Sequence, residues 1–121
     1  MKTRCGFVLF LLGLALTGCG TPDCGFAEAE RVGLRVCAFD AEAATITLVN
    51  FDSTERSLQG HDLWNAENFR LLQNAKSLDA MAPLAAGATL IVKDLPFALA
   101  ASGETVTLTD ATGKVVHQRS Q

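Results

Sequence analysis

Val106 and Leu108 alternate with Thr105, Thr107 and Thr109 in the segment ETVTLTDATGKVVHQRS, Glu104 to Ser120, and no other stretch limits the fold as tightly. A period of two sends successive side chains to opposite faces of a strand. Val and Thr are residue types that fit a pleated, half-buried surface. The break at Asp110 to Lys114 reads as a hairpin loop. Gly113 suits the positive φ needed before the return strand, and Val115 to Ser120 closes the hairpin. Strands joined this way run antiparallel.

The same period recurs upstream. Val32, Leu34, Val36 and Ala38 alternate in VGLRVCAF, and Ile46 and Leu48 face away from Thr45, Thr47 and Val49 in ATITLVNF. LQGHDLW, Leu58 to Trp64, reads as a short strand kinked at Gly60. Thr89 to Val92 is an apolar strand after a turn at Ala86-Gly87. Residues 65–80 stay open: Phe69, Leu72 and Ala75 sit at helical spacing, but a strand followed by a loop fits equally well. The sum is about six or seven short strands at roughly ten-residue spacing, which predicts an all-β antiparallel sandwich.

The chain opens on Lys2 and Arg4, followed by an uncharged run from Gly6 to Leu16. That run is too short for a bilayer, which takes about 20 residues, and has the length and charge of a signal-peptide core. It ends in Leu16-Thr17-Gly18-Cys19, which resembles a bacterial lipobox. Small residues let the backbone lie extended in a protease cleft, and the thiol is the nucleophile that takes a diacylglyceryl group. The resemblance implies a thioether lipid on Cys19, cleavage before it, and acylation of the new amino group. Two or three acyl chains, at about 0.8 kcal/mol per buried methylene, make a firm anchor. Gly20 stands where an aspartate would favour inner-membrane retention, so the outer membrane is the expected location over the inner one. The organisation read from the chain is a signal peptide over 1–18, a lipidated N-terminus and tether over 19–31, and the sandwich over 32–121.

Loss of residues 1–18 removes Lys2, Arg4 and no acidic residue, so the net charge of −3 becomes −5. An acidic domain without a Lys/Arg cluster is a poor nucleic-acid ligand, because that binding rests on neutralising phosphates. Cys5 leaves with the signal and Cys19 is acylated, which leaves Cys24 and Cys37. In an exported, oxidising compartment these two are a disulfide candidate. The bridge would close a loop of about a dozen residues, for on the order of 3 kcal/mol. The other reading leaves Cys37 a buried thiol and Cys24 a loose one. Neither has the Cys-x-x-Cys spacing or nearby His of a reactive thiol.

Four phrases together resemble the lamin-tail domain: ITLVN (Ile46 to Asn50), SLQGHDL (Ser57 to Leu63), LAAGATLIV (Leu84 to Val92) and ASGETVTLTDATGKVVHQRSQ (Ala101 to Gln121). The family's tryptophan after the central glycine is His61 here, the only Trp falls at Trp64, and the final aromatic is absent. The resemblance implies an immunoglobulin-like β-sandwich. Bacterial members are often joined to secreted nucleases, hydrolases and other envelope proteins, where they look like tethering or binding modules. The family has no catalytic residues of its own to transfer.

The residues themselves offer little chemistry. His61-Asp62 is the one His–carboxylate neighbour pair, and strand neighbours point to opposite faces. His117 stands on the last strand, and two lone histidines make no metal motif. No Ser sits in a nucleophile elbow. Asp52, Glu55 and Asp62 read as a solvated acidic rim without the dense spacing of a calcium loop. Trp64, with His61 beside it, is the candidate binding residue: exposed, it is a hot spot or sugar platform; buried, it replaces the displaced family tryptophan. The expected function is a lipid-anchored, non-catalytic binding or tethering module with a protein or glycan partner in the cell envelope. No cofactor or metal is expected. The alternatives are a small envelope hydrolase, or an accessory subunit of one, resting on His61, Asp62 and His117, and a structural envelope lipoprotein.

Overall fold

The computed structural model describes residues 20–121, so Cys19 and the leader before it lie outside the described residues. The described chain is mostly antiparallel β-sheet with very little helix. Strands β1 (Leu34–Asp40), β2 (Thr45–Asn50), β3 (Asp62–Trp64), β4 (Lys76–Ser77), β5 (Thr89–Val92), β6 (Thr105–Thr109) and β7 (Val115–Ser120) form two sheets. One has the order β1-β2-β5, the other β4-β3-β6-β7.

One core lies between them. Val36, Ile46, Leu48 and Val92 from the first sheet join Leu63, Val106 and Leu108 from the second, and Leu58, Leu78, Leu84 and Leu99 close it from the loops. Each such side chain stabilises the fold by about 1.5–3 kcal/mol through removal from water. Thr107 and Thr109, on the other face of β6, are buried too. β6 lies between β3 and β7, and both hydroxyls are bonded: Thr109 Oγ1 accepts from Trp64 Nε1 at 2.9 Å and Thr107 Oγ1 from Gln118 Nε2 at 2.9 Å. Threonine is therefore tolerated at positions where a free hydroxyl would cost stability.

The structure shortens one expected strand. Leu58 to Trp64 pairs only from Asp62, because His61 N–H turns back to donate to the Leu58 carbonyl. Gly60 adopts φ +77° there, and a Cβ on it would lie 2.5 Å from the Ala111 Cβ. The open segment 65–80 holds both alternatives in part. Helix α1 (Ala66–Leu71) comes first, with Asn65 as its N-cap through Asn68 N–H, and β4 follows. Leu72 ends the helix in the left-handed region.

Register defines two poles. Leu34 and Thr89 stand beside the Asn50–Val49 end of β2, while Asp40 and Val92 stand beside its Thr45–Ile46 end. At the first pole, buried Asn50 holds three segments. Its Nδ2 donates to the carbonyls of Thr54, Leu84 and Ala85, and its Oδ1 accepts from Asp52 N–H. Near the second pole, buried Glu104 accepts from the N–H groups of Ala66, Ala100 and Thr105 and exchanges backbone bonds with Gln121.

Candidate functional site

The N-terminal segment reads in sequence as a tether. In the structure it is a strap fastened along the domain. Thr21 Oγ1 donates to the Gly87 carbonyl at 2.9 Å. Cys24 is joined by a disulfide to Cys37, with Cα atoms 5.1 Å apart. Cys37 is available because the β1–β2 register shifts between Val36 and Ala38, leaving it as the extra residue of a bulge. Beyond it, Phe26 meets Phe51 and His117 edge-on at 6.0 and 5.3 Å between ring centroids, with the Arg119 guanidinium 4.6 Å over its face. The turn Glu28–Glu30 is closed by Ala27 N–H on Glu30 Oε1, and Arg31 Nε returns to the Phe26 carbonyl. Sequence periodicity misses these contacts because none of them repeats along the chain.

His117 joins the two sheets. Its Nδ1 accepts from Val36 N–H at 2.9 Å, from β7 to the bulge of β1. Burial, and then the positive charges of Arg35 and Arg119, push its pKa from 6.5 down to about 4, against a small upward pull from Glu30. The ring is thus neutral near pH 7, and the nitrogen that could act as a base is already used as an acceptor. Arg119 Nη1 beside it is buried without a hydrogen-bond partner among the described residues.

Trp64 is half-buried on β3, its indole N–H bound to Thr109 and its ring edge-on to Phe69 at 5.8 Å. His61 stands just before that strand, with Nδ1 3.1 Å from the Gln59 carbonyl to which it donates. Asp62 lies next to it on the strand, opposite Ser77 and Thr109. Its pKa is raised, by burial first and then by the Asp79 charge, with His61 pulling the other way. Asp79 in turn accepts from Gly60 N–H at 2.5 Å. The acidic side chains expected to share a rim are engaged in different places. Asp52 is ion-paired with Arg56 and accepts from Gly33 N–H, and these contacts lower its pKa. Glu55 is exposed. Among the described residues, no three His, Cys, Asp or Glu side chains are grouped so as to hold a metal ion.

A concave feature lies at the Thr45 pole. An open groove of about 600 Å³ is lined by Phe39, Asp40, Glu42, Thr45, Thr47 and Gln121, among others. Gln121 Nε2 donates to the Phe39 carbonyl and fixes the C-terminus as one wall. The lining combines carboxylates, hydroxyls and an amide over an apolar floor, a set suited to hydroxyl-rich or cationic ligands. Neither Trp64 nor His61 lines it. Sequence reading passes over this groove because it joins the first hairpin to the last residue, far apart in the chain. No protein-family model matches the chain, and no curated protein matches it either.

Proposed function

We propose that this protein is a lipid-anchored component of the bacterial cell envelope whose lamin-tail-like, immunoglobulin-like sandwich is a non-catalytic binding module. The observation that carries the reading is Leu16-Thr17-Gly18-Cys19 behind a charged start and an uncharged run, directly before the strap that clamps the chain to the domain at Thr21 and Cys24. The four lamin-tail-like phrases support the finer fold. ITLVN lies within β2 and includes its buried Asn50, SLQGHDL holds the Gly60 turn, LAAGATLIV the Gly87 turn and β5, and the last phrase the β6–β7 hairpin. His117 Nδ1 is already spent accepting from Val36 N–H, which favours binding over base chemistry at that residue. The groove at the Thr45 pole is where a protein or glycan partner is presented. The outer membrane is the proposed location, from Gly20 after the lipidated cysteine.

Fractionation of cells carrying the wild type and Cys19→Ala tests the anchor. The wild type should enter the membrane fraction and Cys19→Ala the soluble one; a variant that stays membrane-bound refutes the anchor. Crosslinking in intact cells then tests the module. A stoichiometric partner recovered with the anchored form, and reduced by Glu42→Lys in the groove, supports binding there.

A further inference from the structure

If Cys19 carries the lipid, the strap leaves almost no slack between membrane and domain. Thr21, two residues after Cys19 in sequence, is already bonded to Gly87, and two residues of chain reach at most about 7 Å. The surface around it has an unusual composition. From Ala80 to Val92, thirteen residues carry no charge, between Asp79 and Lys93. Ala80, Ala82, Pro83, Ala85 and Ala86 are exposed. Gly20, Thr21 and Pro22 add no charge. Charges border this surface: Asp79 precedes Ala80, Asp23 follows Pro22 and pairs with Arg31, and Arg56, bonded through its backbone to Leu84, pairs with Asp52 beside exposed Glu55.

We propose that the uncharged surface formed by Ala80 to Ala88 and Thr21-Pro22 rests against the lipid headgroups of the bilayer that holds Cys19, which fixes the Asn50 pole toward the membrane and the groove away from it. This rests on the anchor reading. Contact of this kind is weak by itself, because alanine and proline bury little area. The anchor raises the local concentration of the bilayer at this face, so a weak preference suffices to set orientation. The repulsion that a net acidic domain feels from anionic lipid is smallest where the surface carries no charge. β2 spans the domain between the poles, about 20 Å at 3.3 Å per residue, so the groove would stand clear of the headgroups.

The test attaches the chain from Cys19 to zwitterionic phosphatidylcholine vesicles through the Cys19 thiol and a maleimide-bearing phospholipid, with Cys24 and Cys37 oxidised. A reporter tryptophan is placed by Ala86→Trp, and separately by Ala82→Trp in case the first variant misfolds. Ala43→Trp in the β1–β2 turn is the distal control, and Trp64 gives the same background in all. Quenching by lipids brominated near the headgroup should be about twofold or more stronger at positions 86 and 82 than at 43, since interfacial contact reaches only about 5–10 Å deep. Equal quenching at the two poles overturns the orientation. The mass of the N-terminal peptide from native membranes separately reports whether Cys19 is acylated. Unmodified Cys19 refutes the anchor and the lipid-facing surface with it, whatever the quenching. Acylated Cys19 with equal quenching keeps the anchor and refutes the orientation alone.

Discussion

Acidification should loosen this domain through one side chain, His117. In the folded chain its Nδ1 accepts from Val36 N–H, and burial beside Arg35 and Arg119 lowers its pKa from 6.5 to about 4. As pH falls through 6.5 the unfolded chain takes up a proton that the folded chain refuses. Stability is therefore full above about pH 6.5, falls between there and pH 4, and levels off below. A shift of this size is about 3 kcal/mol as an upper bound. The ring is only half-buried, and solvent screening reduces the expected loss to about 1–2 kcal/mol. Urea unfolding followed by circular dichroism at about pH 7.5, 6, 5 and 4 measures it. Asp52 and Asp110, with lowered pKa values, act below their usual 3.8 and so outside most of this window. Asp62, with a raised pKa, gains stability as pH falls toward 4 and opposes the trend. The difference between wild type and His117→Asn cancels these carboxylates. Asn Oδ1 can still accept from Val36 but does not titrate, so the variant should be less stable at pH 7.5 from lost packing on Phe26, and flatter with pH. A variant with the same pH slope as the wild type would show that His117 is not the origin.

Glu104→Ala leaves the N–H groups of Ala66, Ala100 and Thr105 without their acceptor; a loss of about 3 kcal/mol is expected in urea unfolding at neutral pH, and a loss under 1 would mean that water replaces the carboxylate. Cys37→Ser opens the loop closed with Cys24, thirteen residues apart in sequence. Its unfolding free energy should fall by about 3 kcal/mol, and proteolysis should then cut first between Gly20 and Arg31; wild-type resistance there would mean that Phe26 and Thr21 hold the strap unaided.

What was legible in the sequence is what repeats at period two. β1, β2 and the β6–β7 hairpin follow from Leu34-Val36, Ile46-Leu48 and Val106-Leu108, because alternation records which face meets a core, while β5 follows from the apolar run Thr89 to Val92 after a turn. Leu58 to Trp64 misleads, since Leu58 and Leu63 are both buried yet belong to a turn and a strand. An apolar residue records burial and not backbone direction. Asn50 and Glu104 carry no pattern at all, because their partners lie at Leu84 and Ala100 on other segments. Phe26 looks like a residue of a loose tether until Phe51, His117 and Arg119 surround it. Each of these misses is a contact between segments distant in sequence, and single-segment periodicity has no access to such contacts.

If Cys19 is lipidated as proposed, the strap bears on what that anchor does. Keeping a small domain at a membrane requires only acyl chains and any linker, and a flexible linker retains its conformational entropy. This chain gives that entropy up by bonding Thr21 to Gly87, closing Cys24 on Cys37 and enclosing Phe26 within a few residues of Cys19, the proposed lipidation site. Such ordering has a purpose where direction matters as well as distance. With the Asn50 pole held at Thr21, the groove between Asp40, Glu42 and Gln121 opens at the opposite end. A ligand arriving from the aqueous side would meet a site already turned toward it, with less rotational freedom left to lose on binding. Replacing Gly20 to Arg31 with a flexible Gly/Ser linker of equal length would keep membrane attachment and remove this bias, so a drop in partner capture without loss of membrane attachment is the signature that separates presentation from simple retention.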